Sequence, residues 1–94
     1  MAEARSLLIG RLAAPPHAIT TPSGVSVTML TLTVCDDTYE LVTFGTDAER
    51  AARLAVGQAV IAEGRWQVRE EGRRELAVSS LQSLAPFRPA EPSR

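Results

Sequence analysis

The chain has 94 residues, enough for one domain with a modest core and too few for two. Apolar residues make up 45% of it, which excludes a disordered chain, and no apolar run approaches the length that spans a bilayer as a helix. The formal net charge is −1, which excludes a simple polycation, so any affinity for nucleic acid has to come from local placement of charge.

Ser6 to Leu12 is a short apolar run, ended by Pro15-Pro16, that predicts a first strand. Thr21-Pro22-Ser23-Gly24 is a turn signal, because proline presets one dihedral and glycine accepts a positive φ. Val25 to Cys35 predicts a long second strand whose apolar phase flips midway. Val25, Val27 and Met29 share one parity, and Leu30, Leu32 and Val34 share the other. A β-bulge or a sharp barrel bend produces such a flip. Asp36-Asp37 predicts a tight hairpin, and Tyr39 to Phe44 the returning third strand.

Thr46 with Glu49 three residues later is a capping-box pattern that opens a short, alanine-rich helix. Asp47 in its first turn and Arg53 in its last suit the helix dipole, and Gly57 is a natural stop. From Ala59 to Arg69 the alternation predicts a fourth strand. Val60, Ala62, Gly64, Trp66 and Val68 share one face, and Ile61, Glu63, Arg65, Gln67 and Arg69 the other. Glu71-Gly72 turns the chain into a last strand, Glu75 to Leu84. The composition then becomes Pro-rich and polar, which predicts a domain over 1–85 and a disordered tail over 86–94. The whole pattern predicts an all-β fold, a five-stranded OB-fold barrel with one short helix between strands 3 and 4.

The chemistry-bearing residues are sparse. Cys35 has no partner for an internal disulfide, which fits a reducing compartment, and no secretory leader is visible, so the expected location is the cytoplasm. One Cys and one His cannot supply a zinc site, and His17 sits beside Pro15-Pro16 in an expected turn, a poor place for a triad base. No phosphate-binding glycine loop is present, and the acidic pairs Asp36-Asp37 and Glu70-Glu71 fall at hairpin tips. The expectation is a protein without catalytic residues, metal or cofactor, and without a membrane or small-molecule substrate as partner.

Arginine supplies every basic side chain except the one histidine. Arg65, Arg69, Arg73 and Arg74 cluster in the fourth strand and its hairpin, and Arg11 leaves the first strand. They fit a phosphate-lined groove, and they fit equally a solvated hairpin paired with Glu63, Glu70, Glu71 and Glu75. Trp66 shares its parity with Val60, Ala62 and Val68, and Tyr39 with Leu41, so both predict core or subunit contact rather than base stacking.

Several of these words, read together, resemble the bacterial single-stranded DNA-binding protein family. They are Leu8-Ile9-Gly10-Arg11-Leu12, Thr21-Pro22-Ser23-Gly24, Leu30-Thr31-Leu32, Phe44-Gly45 with Ala48-Glu49, and Glu63-Gly64-Arg65, in the family's order from Ser6 to Leu84. The resemblance implies an OB fold, assembly into dimers or tetramers, and sequence-tolerant binding of single-stranded DNA. It places Phe44 at a base-stacking position and Arg69 at a binding-face arginine; from the arginine cluster itself, Arg65, Arg11, Arg73 and Arg74 are the further candidates for phosphate contact. The chain also departs from the family. Thr38 and Glu71 stand where stacking tryptophans are typical, and Glu40 stands where a basic residue is common. The long basic finger has shrunk to Cys35-Asp36-Asp37-Thr38, and the family's acidic partner-recruiting tail is not seen, Pro86 to Arg94 being no substitute for it.

Three functions fit. The first is a single-stranded DNA-binding protein of replication, recombination or repair. The second is a primosomal replication protein with a dimeric OB fold, and the third an OB-fold protein-interaction or assembly module with little DNA affinity. Self-association is expected through the apolar Ser6 to Gly10 strand, pairing with its copy across a two-fold axis.

Overall fold

Alternating apolar residues give this chain strands nearly throughout, and the barrel arises from how they pair. The structure, a computed structural model, describes residues 5–69 and 71–84, so the Pro-rich segment 86–94 lies outside the described residues. The elements are β1 (Ser6–Leu12), β2 (His17–Thr20), β3 (Ser26–Val34), β4 (Asp37–Phe44), α1 (Gly45–Ala51), β5 (Ala59–Val68) and β6 (Arg74–Ser83).

β1 pairs antiparallel with β5 from Ser6↔Gly64 to Arg11↔Ala59, and its last residues turn onto β3 at Arg11↔Thr33 and Leu12↔Leu32. β3 pairs with β4 from Val27↔Phe44 to Val34↔Asp37, β4 runs parallel to β6 at Leu41↔Leu76 and Val42↔Ala77, and β6 returns antiparallel to β5. The ring β1-β5-β6-β4-β3 closes on itself, and β2 extends it outside the ring along β3. This closed, mixed five-stranded barrel with a short helix between β4 and β5 is an OB fold, as the pattern predicts. Its core is Leu12, Leu30, Leu32, Leu41, Val60, Ala62, Leu76, Val78 and Leu81, joined by Ala51 of α1 and by Leu54.

Local detail departs from the sequence reading in four places. β2 is a strand where a turn was expected; all four of its residues are exposed, and it forms by pairing with the first half of β3. β3 contains no bulge, for its register against β4 is unbroken from Val27 to Val34. The phase flip instead marks two different coverings. Leu30 and Leu32 face the barrel interior, while Thr28 is buried under α1, its hydroxyl donating to the Ala48 carbonyl at 2.7 Å. The hairpin turn between β3 and β4 is Cys35-Asp36, one residue earlier than expected, with Cys35 at φ 56°. The capping box does not form either. α1 starts directly from β4 with Phe44 as its N-cap and no side-chain cap bond, and it ends at Ala51, leaving Arg53 in the following turn.

The bulge of this barrel lies between β5 and β6, where the register shifts at Glu63/Gly64 and Ser79 is the extra residue, its hydroxyl donating to the Glu63 carbonyl. Gly64 is required there by close approach, because a Cβ at this position would stand 2.1 Å from the Ala77 carbonyl oxygen. The β5–β6 hairpin closes with Arg69 N–H donating to Arg73 O and Gly72 N–H to Arg69 O. Gly72 takes φ 78°, the positive value that its place in this turn demands.

Candidate nucleic-acid interface

Three adjacent strands, β2, β3 and β4, form a curved floor on the outside of the barrel. Their register sets side chains in rows across it. Ile19, Val27 and Phe44 make one row, His17, Met29 and Val42 the next, and Thr31 and Glu40 a third. The β5–β6 hairpin supplies the opposite wall through Gln67, Val68, Arg69, Glu71, Arg73 and Glu75. Together they bound an open groove of about 940 Å³. It is apolar at the α1 end and ionic toward the hairpin. An OB fold takes oligonucleotides on this face, between the loop after its first strand and its last hairpin.

Phe44 is 48% exposed at the apolar end, where its outward phase on β4 predicts it. Arg69 lies on the hairpin wall and donates to both oxygens of Glu75, at 3.1 and 3.3 Å. The Glu75 side chain is only 5% exposed, and it also accepts from Gln67 Nε2 at 2.6 Å. A buried carboxylate held by two donors in this way has its hydrogen-bonding demand met and fixes the geometry of the wall. Arg73, farther along the same wall, reaches across the groove to Glu40 on the floor. The lining therefore carries two arginines against three glutamates, Glu40, Glu71 and Glu75.

The other candidates lie elsewhere. Arg11 is exposed at the Ala59 end of β5 and donates to the Gly57 carbonyl at 2.9 Å. Arg65 is exposed on β5 opposite Ala77, outside the groove lining. Arg74 holds its guanidinium over the Trp66 ring, 4.7 Å from the centroid. Trp66 itself packs against the core beside Tyr39, with ring centroids 5.8 Å apart, so both aromatics turn away from the groove as their parity predicts. Val68, expected to share their inward face, is 69% exposed and lines the groove instead.

His17, expected in a turn, is a groove residue on a strand. It opens β2 directly beyond Pro15-Pro16, and nothing local signals that strand, because pairing with β3 creates it. Among the described residues no group of three or more His, Cys, Asp or Glu could hold a metal ion, and no helix is long and apolar enough to cross a membrane.

No protein-family profile and no curated protein matches the chain by sequence. Solved structures match it by fold. The wild-type single-stranded DNA binding protein from Thermus aquaticus superposes with a TM-score of 0.83 at 25% identity, over 95% of this chain and 43% of that one. The fold is that of the single-stranded DNA-binding proteins. A deletion mutant of the same Thermus protein gives a TM-score of 0.82 at 28% identity, over 93% of this chain and 44% of its own. This chain thus spans under half the length of the Thermus proteins. The SSB domain of a Synechococcus sp. protein shares the fold, with a TM-score of 0.78 at 18% identity, over 86% of this chain and 96% of that domain.

Proposed function

We propose that this SSB-like protein binds single-stranded DNA along the groove, with little sequence preference and without catalysis. One observation carries the reading: Phe44, Arg69 and Arg73 come together in a single open groove on the face that OB folds use for oligonucleotides. A base stacks on Phe44 and on the apolar row beside it, because every base has a π-face, and Arg69 on the hairpin wall meets a phosphate, while Arg73 is paired with Glu40 across the groove. Titration of a labelled oligo-dT at two salt concentrations tests this. Affinity should fall as salt rises, through release of counterions, and duplex DNA should bind far less well because its bases are stacked inside. Equal affinity for duplex and single strand, or a flat salt response, overturns it. Replication, recombination or repair in the cytoplasm is the setting that such binding implies.

Self-association belongs to the same proposal. β1 has β5 on one edge, but only Arg11 and Leu12 pair with β3 on the other, which leaves the Ser6 to Gly10 edge without a strand among the described residues. Leu7 and Ile9 are 59% and 54% exposed along this strand. A second copy pairing there covers both. Sedimentation at micromolar concentration should show a dimer or tetramer, and a monomer refutes this part. The excess of glutamate over arginine in the groove favours a second reading, a protein-interaction module, for which oligo-dT binding would be absent even at low salt.

A further inference from the structure

The two arginines of the groove are held by carboxylates in different ways. Glu75 is buried and tied by Gln67 as well as Arg69, so that pair is a fixed part of the wall. Breaking it would leave a charge buried without its partner. Glu40 and Arg73 are both in contact with solvent, at 46% and 59% side-chain exposure. An exposed ion pair contributes little to stability and exchanges readily with other ions. It is also long-range, joining the floor strand β4 to the hairpin wall, so it straps the groove where a backbone would pass.

We propose that Glu40 is a built-in competitor of nucleic-acid phosphate: it occupies Arg73 across the groove, and a bound strand must displace it. The proposal rests on the single-stranded DNA reading above and names the residue that sets the affinity of that site. A phosphate that takes Arg73 leaves the Glu40 carboxylate unpaired beside a second anion, so in the native chain Arg73 adds little to binding. Without Glu40, Arg73 becomes a full phosphate contact. The cross-strand neighbour of Glu40 is Thr31, so both Gln and Thr fit the strand at this position.

The experiment measures the affinity of a fluorescent oligo-dT for the full chain and its variants at about 50 and about 200 mM salt. One phosphate contact on a single strand contributes a salt slope of about 0.7, which corresponds to roughly eightfold in affinity at the lower salt and roughly threefold at the higher. E40Q should therefore tighten binding by those factors and steepen the slope by about 0.7. E40T should repeat the result, which guards against an effect peculiar to one replacement. R73Q alone should change little, and E40Q/R73Q should lose most of the gain. E63Q removes a carboxylate that pairs with Arg5 on the β1–β5 side of the barrel, and should leave affinity within about twofold. If oligo-dT binds but E40Q gives no gain, or gives the same gain with Arg73 removed, the competitor role is overturned and the DNA reading stands. If neither the native chain nor any variant binds oligo-dT at the lower salt, both fall together.

Discussion

Phe44→Ala separates base stacking from phosphate contact, and its outcome follows from where the ring sits. The side chain is 48% exposed at the apolar end of the groove, so about half of its surface is already outside the fold. Full burial of a Phe stabilises by about 1.5–3 kcal/mol, and truncation here should cost stability only about 1 kcal/mol. Phe44 is the N-cap of α1 but makes no side-chain capping bond, so alanine removes no cap interaction. The domain should therefore stay folded. If a base stacks on the ring, its loss should weaken oligo-dT binding by about 1–3 kcal/mol, or roughly 5- to 150-fold in Kd. Stacking releases no counterion, so the slope of log affinity against log salt should be unchanged. Fluorescence anisotropy at several salt concentrations measures both quantities, and circular dichroism confirms the fold. An affinity within twofold of the native chain, or a loss that comes with a shallower salt slope, refutes the stacking role.

Three further substitutions probe the surrounding structure. Trp66→Ala removes a ring packed on the core between Tyr39 and Arg74 and should lower stability by about 2–4 kcal/mol in urea unfolding, with the affinity of the folded fraction preserved; a stable variant that loses all binding places the site on the opposite face of the sheet. Gly64→Ala drives a Cβ to 2.1 Å from the Ala77 carbonyl oxygen and should cost at least about 2 kcal/mol, seen as a lower urea midpoint; a neutral result contradicts the close approach of β5 and β6. Arg69→Ala should weaken oligo-dT binding and lower the salt slope by about 0.7. It should also cost about 1–3 kcal/mol of stability, because the buried Glu75 carboxylate keeps only Gln67, and an unchanged slope shows that Arg69 meets no phosphate.

Much of the fold is legible in the sequence because its signals are local. The strand runs, the Thr21 to Gly24 turn, the Glu71-Gly72 turn and the helix after Phe44 each depend on residues within a few positions of one another. Alternation along β4 puts Phe44 on the outer face, and alternation along β5 puts Trp66 on the inner one, as the structure has them. The resemblance adds the OB topology, which comparison with the Thermus structures bears out.

What tertiary structure alone decided is which outward residues meet. A period of two tells which side of a sheet a residue occupies but not what lies against that side. The phase flip of β3 therefore reads as a bulge or a barrel bend; its register against β4 is unbroken, and closure of the barrel turns Leu30 and Leu32 inward and makes Val27 and Met29 the groove floor. β2 exists only because β3 offers it an edge, and that pairing carries His17 into the groove. The arginines look alike along the chain, yet the fold lays Arg74 over Trp66, ties Arg11 to Gly57, fixes Arg69 on Glu75 and straps Arg73 to Glu40. Those charges find partners 33 and 46 residues away as readily as neighbours, because barrel curvature rather than sequence spacing sets the distances between them.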